Sequence, residues 1–205
     1  MLLSGDFGAL TQNQKEALET AHTSGMEMKE LIAGFLDVSK IESGGFVLDP
    51  GESNFAEVFD TVVTDLSHVI KEKRIEIEKS YEGDAPRAHF GPKTAKVIAQ
   101  NLLTNAVQAM KGRGTLRLST AITDGEAVIR LSDSGTGISA QHLSKIFDPF
   151  FTTKGQGEGS GLGLTVARRI IRKFGGDIRI DSQEGRGTTC IVTLPVLTSA
   201  PQEAP

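Results

Sequence analysis

Hydrophobic spacing divides the chain into a long N-terminal helix and a mixed second part. Apolar or small residues recur three and four positions apart from Leu18 to Phe35, which predicts the buried face of an amphipathic helix. The segment from Thr11 to Gln14 has a capping-box pattern, and Gly44 begins a glycine pair that is a plausible stop. We therefore predict one long helix with the apolar face of a helix bundle.

Beyond residue 45, apolar residues have the spacing of a helix in some segments and the alternation of a strand in others. Asn54 opens a second capping-box pattern, which predicts a helix to about Lys71, and a helix with a strong apolar face spans residues 92–111. Shorter helices are expected near Ala140 and from residue 161 to Phe174. The predicted strands cover residues 46–48, 74–79, 115–121, 127–132, 177–181 and 188–194. Helices beside mainly antiparallel strands predict an α+β fold, a two-layer α/β sandwich.

This pattern predicts two domains and a tail. Residues 1–45 form the helical piece, residues 46–197 form the α/β domain, and residues 198–205, rich in Pro and Ala, form a disordered tail. The turn-forming residues from Asp49 to Glu52 lie at the boundary and suit an interdomain hinge.

Composition narrows the function classes. The 205 residues are 38% hydrophobic and 23% charged, which allows one good core and a smaller helical piece. A net charge of −4 with scattered Lys and Arg gives no reason to expect nucleic acid. Cys190 is the only cysteine, so no internal disulfide can form, and a reducing cytoplasm is expected. No apolar run approaches membrane-spanning length.

The richest candidate chemistry lies between residues 147 and 164. Phe147 opens the sequence Phe-Asp-Pro-Phe-Phe-Thr-Thr-Lys, which a glycine-dense run from Gly155 to Leu164 follows at once. An aromatic anchor, a glycine loop and a helix start are what a lid over a polyphosphate requires. Neither a P-loop nor a G-x-G-x-x-G motif is present, so a flexible surface loop is the alternative for this stretch alone.

Two further elements carry amide and carboxylate groups. Asn101 and Asn105 are four residues apart and share one helical stripe, where an amide oxygen is a neutral ligand for Mg²⁺. Helix-bonded asparagines are the alternative. Asp133 ends a strand before Gly135 and Gly137, so its carboxylate could accept a hydrogen bond from the amino group of a base. For that element a plain turn is the alternative.

Together and in this order, these elements resemble the ATP-binding catalytic domain of the sensor histidine kinases. That domain belongs to the superfamily of DNA gyrase, the heat-shock chaperone ATPases and the mismatch-repair ATPases. The asparagine, aspartate-glycine, phenylalanine and second glycine boxes are followed by residues 185–189, which resemble the terminal Gly-Thr element. The N-terminal helix resembles the second helix of the dimerisation and histidine-phosphotransfer domain. The resemblance implies a Bergerat-type ATP-binding fold.

The resemblance also implies the site residues. Asp133 would bind the adenine amino group and Asn105 the magnesium ion, while Phe147 and Phe150 would anchor the lid to the core. Asn105, Thr153 and Lys154 form the implied catalytic set, in which Lys154 neutralises charge during transfer. The implied ATP-binding set is Asn101, Asn105, Asp133, Gly135, Gly137, Ile138, Phe147, Thr152, Thr153, Lys154, Gly159, Ser160, Gly161, Leu162, Gly163, Leu164 and Thr188.

The implied activity is transfer of the terminal phosphate of Mg-ATP to a histidine, and then to an aspartate of a response regulator. None of His22, His68, His89 and His142 lies in the family's acceptor box. We therefore expect the acceptor on a helix outside this chain, which we interpret as truncated, and no autophosphorylation of the fragment. Expected partners are that helix, a response regulator receiver domain and, with a full helix bundle, a second copy.

Two alternatives to the kinase interpretation are an inactive ATP-gated regulatory module and, less favoured, an ATPase of the gyrase or chaperone type. In the latter class a glutamate normally occupies the position of Asn101, so the asparagine favours transfer over hydrolysis. The turn containing Gln108 departs from the family's pattern, which puts its phosphate contacts in doubt. The basic run from Arg168 to Lys173 is interpreted as a solvated helix face.

Overall fold

The computed structural model describes residues 8, 10–42, 49, 51–81, 87–88, 90–155 and 159–196. The first element is helix α1 (Gln12–Glu42), as the apolar spacing predicts. Its capping box is formed in both directions: the amide of Gln14 donates to Thr11 Oγ1 at 3.3 Å, and the amide of Thr11 donates to Gln14 Oε1 at 2.9 Å. The predicted strand at residues 46–48 and the predicted tail at 198–205 lie outside the described residues.

The strands form one large sheet and one small one. They are β1 (Ser53–Asn54), β2 (Ile75–Tyr81), β3 (Arg87–Ala88), β4 (Gly114–Thr123), β5 (Glu126–Asp133), β6 (Asp177–Gln183) and β7 (Gly187–Pro195). The large sheet has the order β2-β4-β5-β7-β6, in which β2 and β4 are parallel and the other neighbours antiparallel. Strands β1 and β3, which the sequence did not predict, pair antiparallel beside it.

The helices cover one face of this sheet. They are α2 (Phe55–Asp65), α3 (Ser67–Lys73), α4 (Pro92–Ala109), α5 (Ala140–Leu143) and α6 (Gly163–Lys173). The prediction of one helix to Lys71 is wrong, because α2 and α3 are separate helices on either side of Leu66. The predicted cap at Asn54 is confirmed, since its side-chain oxygen accepts the amide of Ala56 at 2.9 Å.

The hydrophobic core lies between the sheet and helices α2, α4 and α6. Phe59, Leu103 and Ile170 are completely buried there, opposite strand residues such as Ile129. Helix α4 turns Leu102 and Ala106 into this core, which leaves Asn101 and Asn105 half-buried at its edge. The packing that buries α4 therefore also directs both asparagines towards one opening. Helix α1 contacts α6.

Candidate functional site

A cleft of about 870 Å³ opens between α4, the end of β5, the start of α6 and the segment that follows residue 147. Its size is that of a site for a nucleotide-sized molecule. The residues predicted to bind ATP line this cleft, except Gly135, Phe147 and Leu162. Most of the predicted residues thus lie around one cleft, and their roles there stay predictions.

Asp133 lies on the floor of the cleft and is only 7% exposed. Its Oδ1 accepts the amide hydrogen of Gly135 at 2.8 Å, and the backbone of Thr188 donates a second hydrogen bond. Burial raises the pKa of Asp133 above its ordinary value, and the two backbone hydrogen bonds only partly oppose this. The floor of the cleft thus contains a carboxylate whose negative charge is only partly stabilised by its surroundings. Such a carboxylate is suited to accept a hydrogen bond from a ligand.

Two glycines are required by the close packing around Asp133. A Cβ atom on Gly187 would lie 2.0 Å from the backbone oxygen of Asp133, and one on Gly137 would lie 2.0 Å from that of Gln183. Both glycines also have positive φ angles, 93° and 66°. Because any side chain would push the strand ends apart, these glycines fix the shape of the cleft floor.

Ser182 joins three parts of the floor, and sequence reasoning missed it. Its hydroxyl donates to the carbonyl of Gly187 at 2.9 Å and accepts the amide hydrogen of Ile138 at 2.9 Å. The hydroxyl of Thr188 lies 2.9 Å away. A serine in a short strand carries no sequence signal for this role, because Ile138 is 44 positions away and the other two partners lie on the neighbouring strand.

The amide of Asn105 faces a cation. Lys154 Nζ donates to Asn105 Oδ1 at 2.9 Å and also to Gln108 Oε1. The Asn105 oxygen is thus turned towards the cleft and already contacts a positive charge, which is the arrangement a metal ligand needs. Gln108, whose role the sequence left in doubt, holds this lysine.

Asn101 has a different environment. Its amide nitrogen donates to the carbonyl of Val97 at 2.9 Å, within the same helix. Its oxygen points at α6, where a Cβ atom on Gly163 would approach it to 2.7 Å. Asn101 therefore has the helix-bonded arrangement that we considered as the alternative for both asparagines, although it lines the cleft.

The two residues predicted to anchor the lid have different environments. Phe147 packs against the hydrophobic core, its carbonyl accepts the hydroxyl of buried Thr165 at 3.0 Å, and the Arg168 guanidinium stacks 4.5 Å from its ring centre. Arg168 thus does not belong to a purely solvated face. Phe150 is 56% exposed at a φ of 65°, so the prediction that it anchors the lid is wrong. Phe151 lines the cleft instead, with its ring 5.6 Å from that of His142.

The start of helix α6 forms the last wall. Gly161, Gly163 and Leu164 line the cleft, and among the described residues no side-chain hydrogen bond caps this end of α6. The first amide groups of a helix have no partner within the helix and favour an anion. This wall therefore suits phosphate groups, while the opposite end of the cleft, at Asp133, suits a hydrogen-bond donor.

A cleft with a carboxylate at one end and a helix start and a lysine at the other defines a nucleotide-binding α/β sandwich. Residues 91–198 match the family described as "Histidine kinase-, DNA gyrase B-, and HSP90-like ATPase". The chain belongs to this family. Its fold is that of the ATP-binding catalytic domain of sensor histidine kinases, which confirms the predicted fold class and the resemblance stated from the sequence.

The curated relatives are sensor kinases. The sensor protein EvgS of Escherichia coli (strain K12) is 31% identical over 205 residues, covering 95% of this chain and 17% of that protein. The circadian input-output histidine kinase CikA of Synechococcus elongatus is 30% identical over 205 residues, covering 96% of this chain and 27% of that protein. The chain thus spans about a sixth to a quarter of the length of these relatives.

Solved structures agree with this assignment. The catalytic domain of histidine kinase ThkA matches with a TM-score of 0.65 and 27% identity, covering 73% of this chain and 97% of that domain. Full-length ShkA in complex with AMPPNP matches the fold with a TM-score of 0.79 and 23% identity, covering 96% of this chain and 42% of ShkA. In the part of the chain that the structure describes, no helix is long and apolar enough to span a membrane.

The Gly187 contact gives a direct test of the cleft floor. Gly187→Ala should lower the free energy of unfolding by more than Gly125→Ala, which has a similar positive φ of 79° but nothing within 4 Å of its Cβ position. The positive φ costs alanine about 1–2 kcal/mol at either position, so the excess at Gly187 reports the close approach to Asp133. Urea unfolding of both variants measures it. Equal losses would contradict the requirement for glycine at residue 187.

Proposed function

We propose that this chain binds Mg-ATP beneath the lid of residues 147–164 and transfers the terminal phosphate to a histidine on a helix outside these 205 residues, from which it passes to a response regulator aspartate. The observation that carries this proposal is the pairing of Asn105 with the Lys154 ammonium at the phosphate end of the cleft. At that end of the cleft, both groups would balance charge on a transferred phosphate. Because ATP is a cytoplasmic metabolite, we place the chain in the cytoplasm.

The residues present suit a magnesium ion. Asn105 Oδ1 is turned into the cleft and accepts from a cation, so this oxygen would hold a Mg²⁺ ion. When bound, Mg²⁺ neutralises charge on the phosphates. Lys154 would pair with the terminal phosphate, and the Gln108 amide oxygen would keep its ammonium group at this end of the cleft.

The remaining predicted residues divide between the two ends of the cleft. Asp133 accepts the adenine amino group, with Gly135, Gly137, Ile138 and Thr188 shaping the base pocket. Thr152, Thr153, Gly159 and Ser160 place the lid over the phosphates, and the amides of Gly161 to Leu164 donate to them. In this arrangement the protein positions the phosphate for an incoming imidazole rather than reacting with it covalently.

The side chain of Asn101 favours phosphate transfer over ATP hydrolysis. A hydrolase needs a base that activates water near the terminal phosphate, and Asn101 is an amide whose nitrogen is bonded to the Val97 carbonyl. Among the described residues that line the cleft, the carboxylates are Asp133, at the base end, and Glu184. A gyrase-type or chaperone-type ATPase is therefore the weaker alternative.

Helix α1 supports the proposed partners. Met28, Ile32 and Leu36 are spaced four residues apart and are 63%, 53% and 46% exposed. Such a stripe of exposed large apolar side chains is costly in water, and a partner helix removes the cost. We infer that this stripe packs in a helix bundle with the acceptor helix and with a second copy of the chain.

The base end of the cleft predicts an effect of pH. A carboxylate accepts from an amino group better than an amide or a carboxylic acid does, so Asp133→Asn should weaken ATP binding about 10- to 100-fold. Since the pKa of Asp133 is raised, wild-type affinity is present above that pKa and declines as the pH falls through it. The variant should show no such decline. Fluorescence titration with an ATP analogue measures both.

The matched control is Asp181→Asn on strand β6, where the carboxylate is exposed and pairs with Arg179 at 2.7 Å. It should leave affinity unchanged. If Asp133→Asn and wild type bound ATP with equal affinity at neutral pH, this would contradict the proposal that Asp133 accepts a hydrogen bond from the adenine amino group.

Phosphotransfer tests the function as a whole. With Mg²⁺ and ATP labelled on the terminal phosphate, the chain alone should retain nucleotide and acquire no acid-labile, alkali-stable label. The same chain with the acceptor helix of a related sensor kinase fused ahead of residue 1 should acquire that label. Replacing the acceptor histidine of the fused helix by Gln should abolish it.

His142 provides the necessary control, because it lines the cleft and lies 3.0 Å from Ser139 Oγ. Label on the unfused chain that His142→Gln removes would show that the acceptor is internal and would overturn the proposal. Retained nucleotide with no label on the fusion would instead support the inactive ATP-gated module.

A further inference from the structure

Asp49 attaches the segment that follows α1 to the beginning of helix α4. Its carboxylate accepts the amide of Lys93 at 3.0 Å, the amide of Thr94 at 2.9 Å and the hydroxyl of Thr94 at 2.6 Å. Its carbonyl also accepts the amide of Gly91 at 2.9 Å. Asp49 thus accepts hydrogen bonds from four donors at the beginning of α4, although it lies more than 40 positions earlier in the chain.

Gly91 is the counterpart of this attachment. It is the N-cap of α4, a position where a side chain usually accepts the first helical amides, and it has no side chain to do so. Its φ of −71° suits any residue, so glycine is not needed for the backbone. A Cβ atom there would lie 2.2 Å from Asp49 Oδ2. The glycine is required because the Asp49 carboxylate occupies the place of its side chain.

A second connection lies beside the first. Strand β1 pairs with β3, with Ser53 opposite Ala88 and Asn54 opposite Arg87. A Cβ atom on Gly51 would also lie 3.7 Å from the Gly91 Cα. The chain therefore contacts one short stretch at the beginning of α4 and before it through Asp49, Gly51, Ser53 and Asn54. The sequence predicted an interdomain hinge at residues 49–52. In the structure Asp49, the first residue of that range, is hydrogen-bonded to the beginning of α4.

We propose that Asp49 is a positioning residue whose carboxylate holds the connection from α1 on helix α4, and so sets the orientation of α1 relative to the nucleotide cleft. Asn101 and Asn105 lie on that same helix, so α1 is joined to the element that carries the cation-facing amide. The hydrogen bonds from Thr94 and Lys93 together outweigh the effect of burial and lower the pKa of Asp49, so it remains a carboxylate at neutral pH. The proposal stands whether or not the chain transfers phosphate.

A helix cap alone would not need this arrangement, because a carboxylate at residue 91 would satisfy the same amides. The two roles can therefore be separated by moving the carboxylate. Asp49→Ala removes the cap and the side-chain hydrogen bonds of the attachment, and keeps the backbone bond to Gly91. Asp49→Ala combined with Gly91→Asp restores the cap from within α4, in space that the shortened side chain has vacated, but does not restore the side-chain hydrogen bonds between residue 49 and α4.

The experiment measures the distance between nitroxide labels on Thr23→Cys in α1 and Glu126→Cys in β5, two exposed positions. Cys190 does not interfere, because it is buried and its thiol pKa is raised to about 12. Wild type should give a narrow distance distribution and Asp49→Ala a broad one, with a melting temperature lower by about 2–4 °C. The double variant should recover the melting temperature and keep the broad distribution.

Two results would overturn the proposal. A narrow distribution in the double variant would show that Asp49 is only a helix cap. A narrow distribution in Asp49→Ala would show that the contact of α1 with α6 is enough to orient it. If Asp49→Ala does not fold, the double variant alone decides, because its helix cap is intact.

Discussion

The buried carboxylate of Asp133 is the constraint on which the cleft depends. A carboxylate away from water is unstable unless hydrogen bonds replace its hydration. Here the amide of Gly135 and the backbone of Thr188 supply them, from the loop after β5 and from β7. Both segments must come close to the end of β5, and the space that remains beside the backbone at residue 187 admits only glycine. The packing that satisfies Asp133 is therefore also what forms the floor of the site.

The opposite end of the cleft is organised by positive charge. Lys154 reaches from the lid to Asn105 and Gln108 on α4, while Phe147, held by Thr165 and Arg168, fixes the beginning of the same lid. The lid is thus attached to α6 at one point and to α4 at another. A ligand that competes for the Lys154 ammonium or for the Asn105 oxygen must change the second attachment.

The elements that local patterns specify could be predicted from the sequence. The capping box at Thr11, the cap at Asn54 and the apolar face of α4 depend on neighbours within one or two turns, and the structure contains each of them. The glycine and asparagine elements also contain most of the residues that line the cleft, and the roles of these residues stay predictions. The break at Leu66 was missed, because leucine is not a helix breaker and no local pattern marks the end of α2.

The errors concern contacts between distant segments. Phe150 and Phe151 are identical residues side by side, and only the backbone turn at Phe150 decides that the second faces the cleft. Ser182, Arg168 and Asp49 have partners that are distant in sequence, so no local pattern marks them. A short pair such as β1 and β3 likewise carries too few residues for a periodic signal.

The most direct measurement is calorimetric titration of the chain with a non-hydrolysable ATP analogue, with and without Mg²⁺, in wild type, Asn105→Ala and Asn101→Ala. If Asn105 holds the metal, Mg²⁺ should strengthen binding to wild type and to Asn101→Ala by about tenfold or more, a difference of about 1.4 kcal/mol. It should have little effect on Asn105→Ala. The same gain from Mg²⁺ in all three proteins, or no binding of the analogue by wild type, would contradict the account of a Mg-ATP site built on α4.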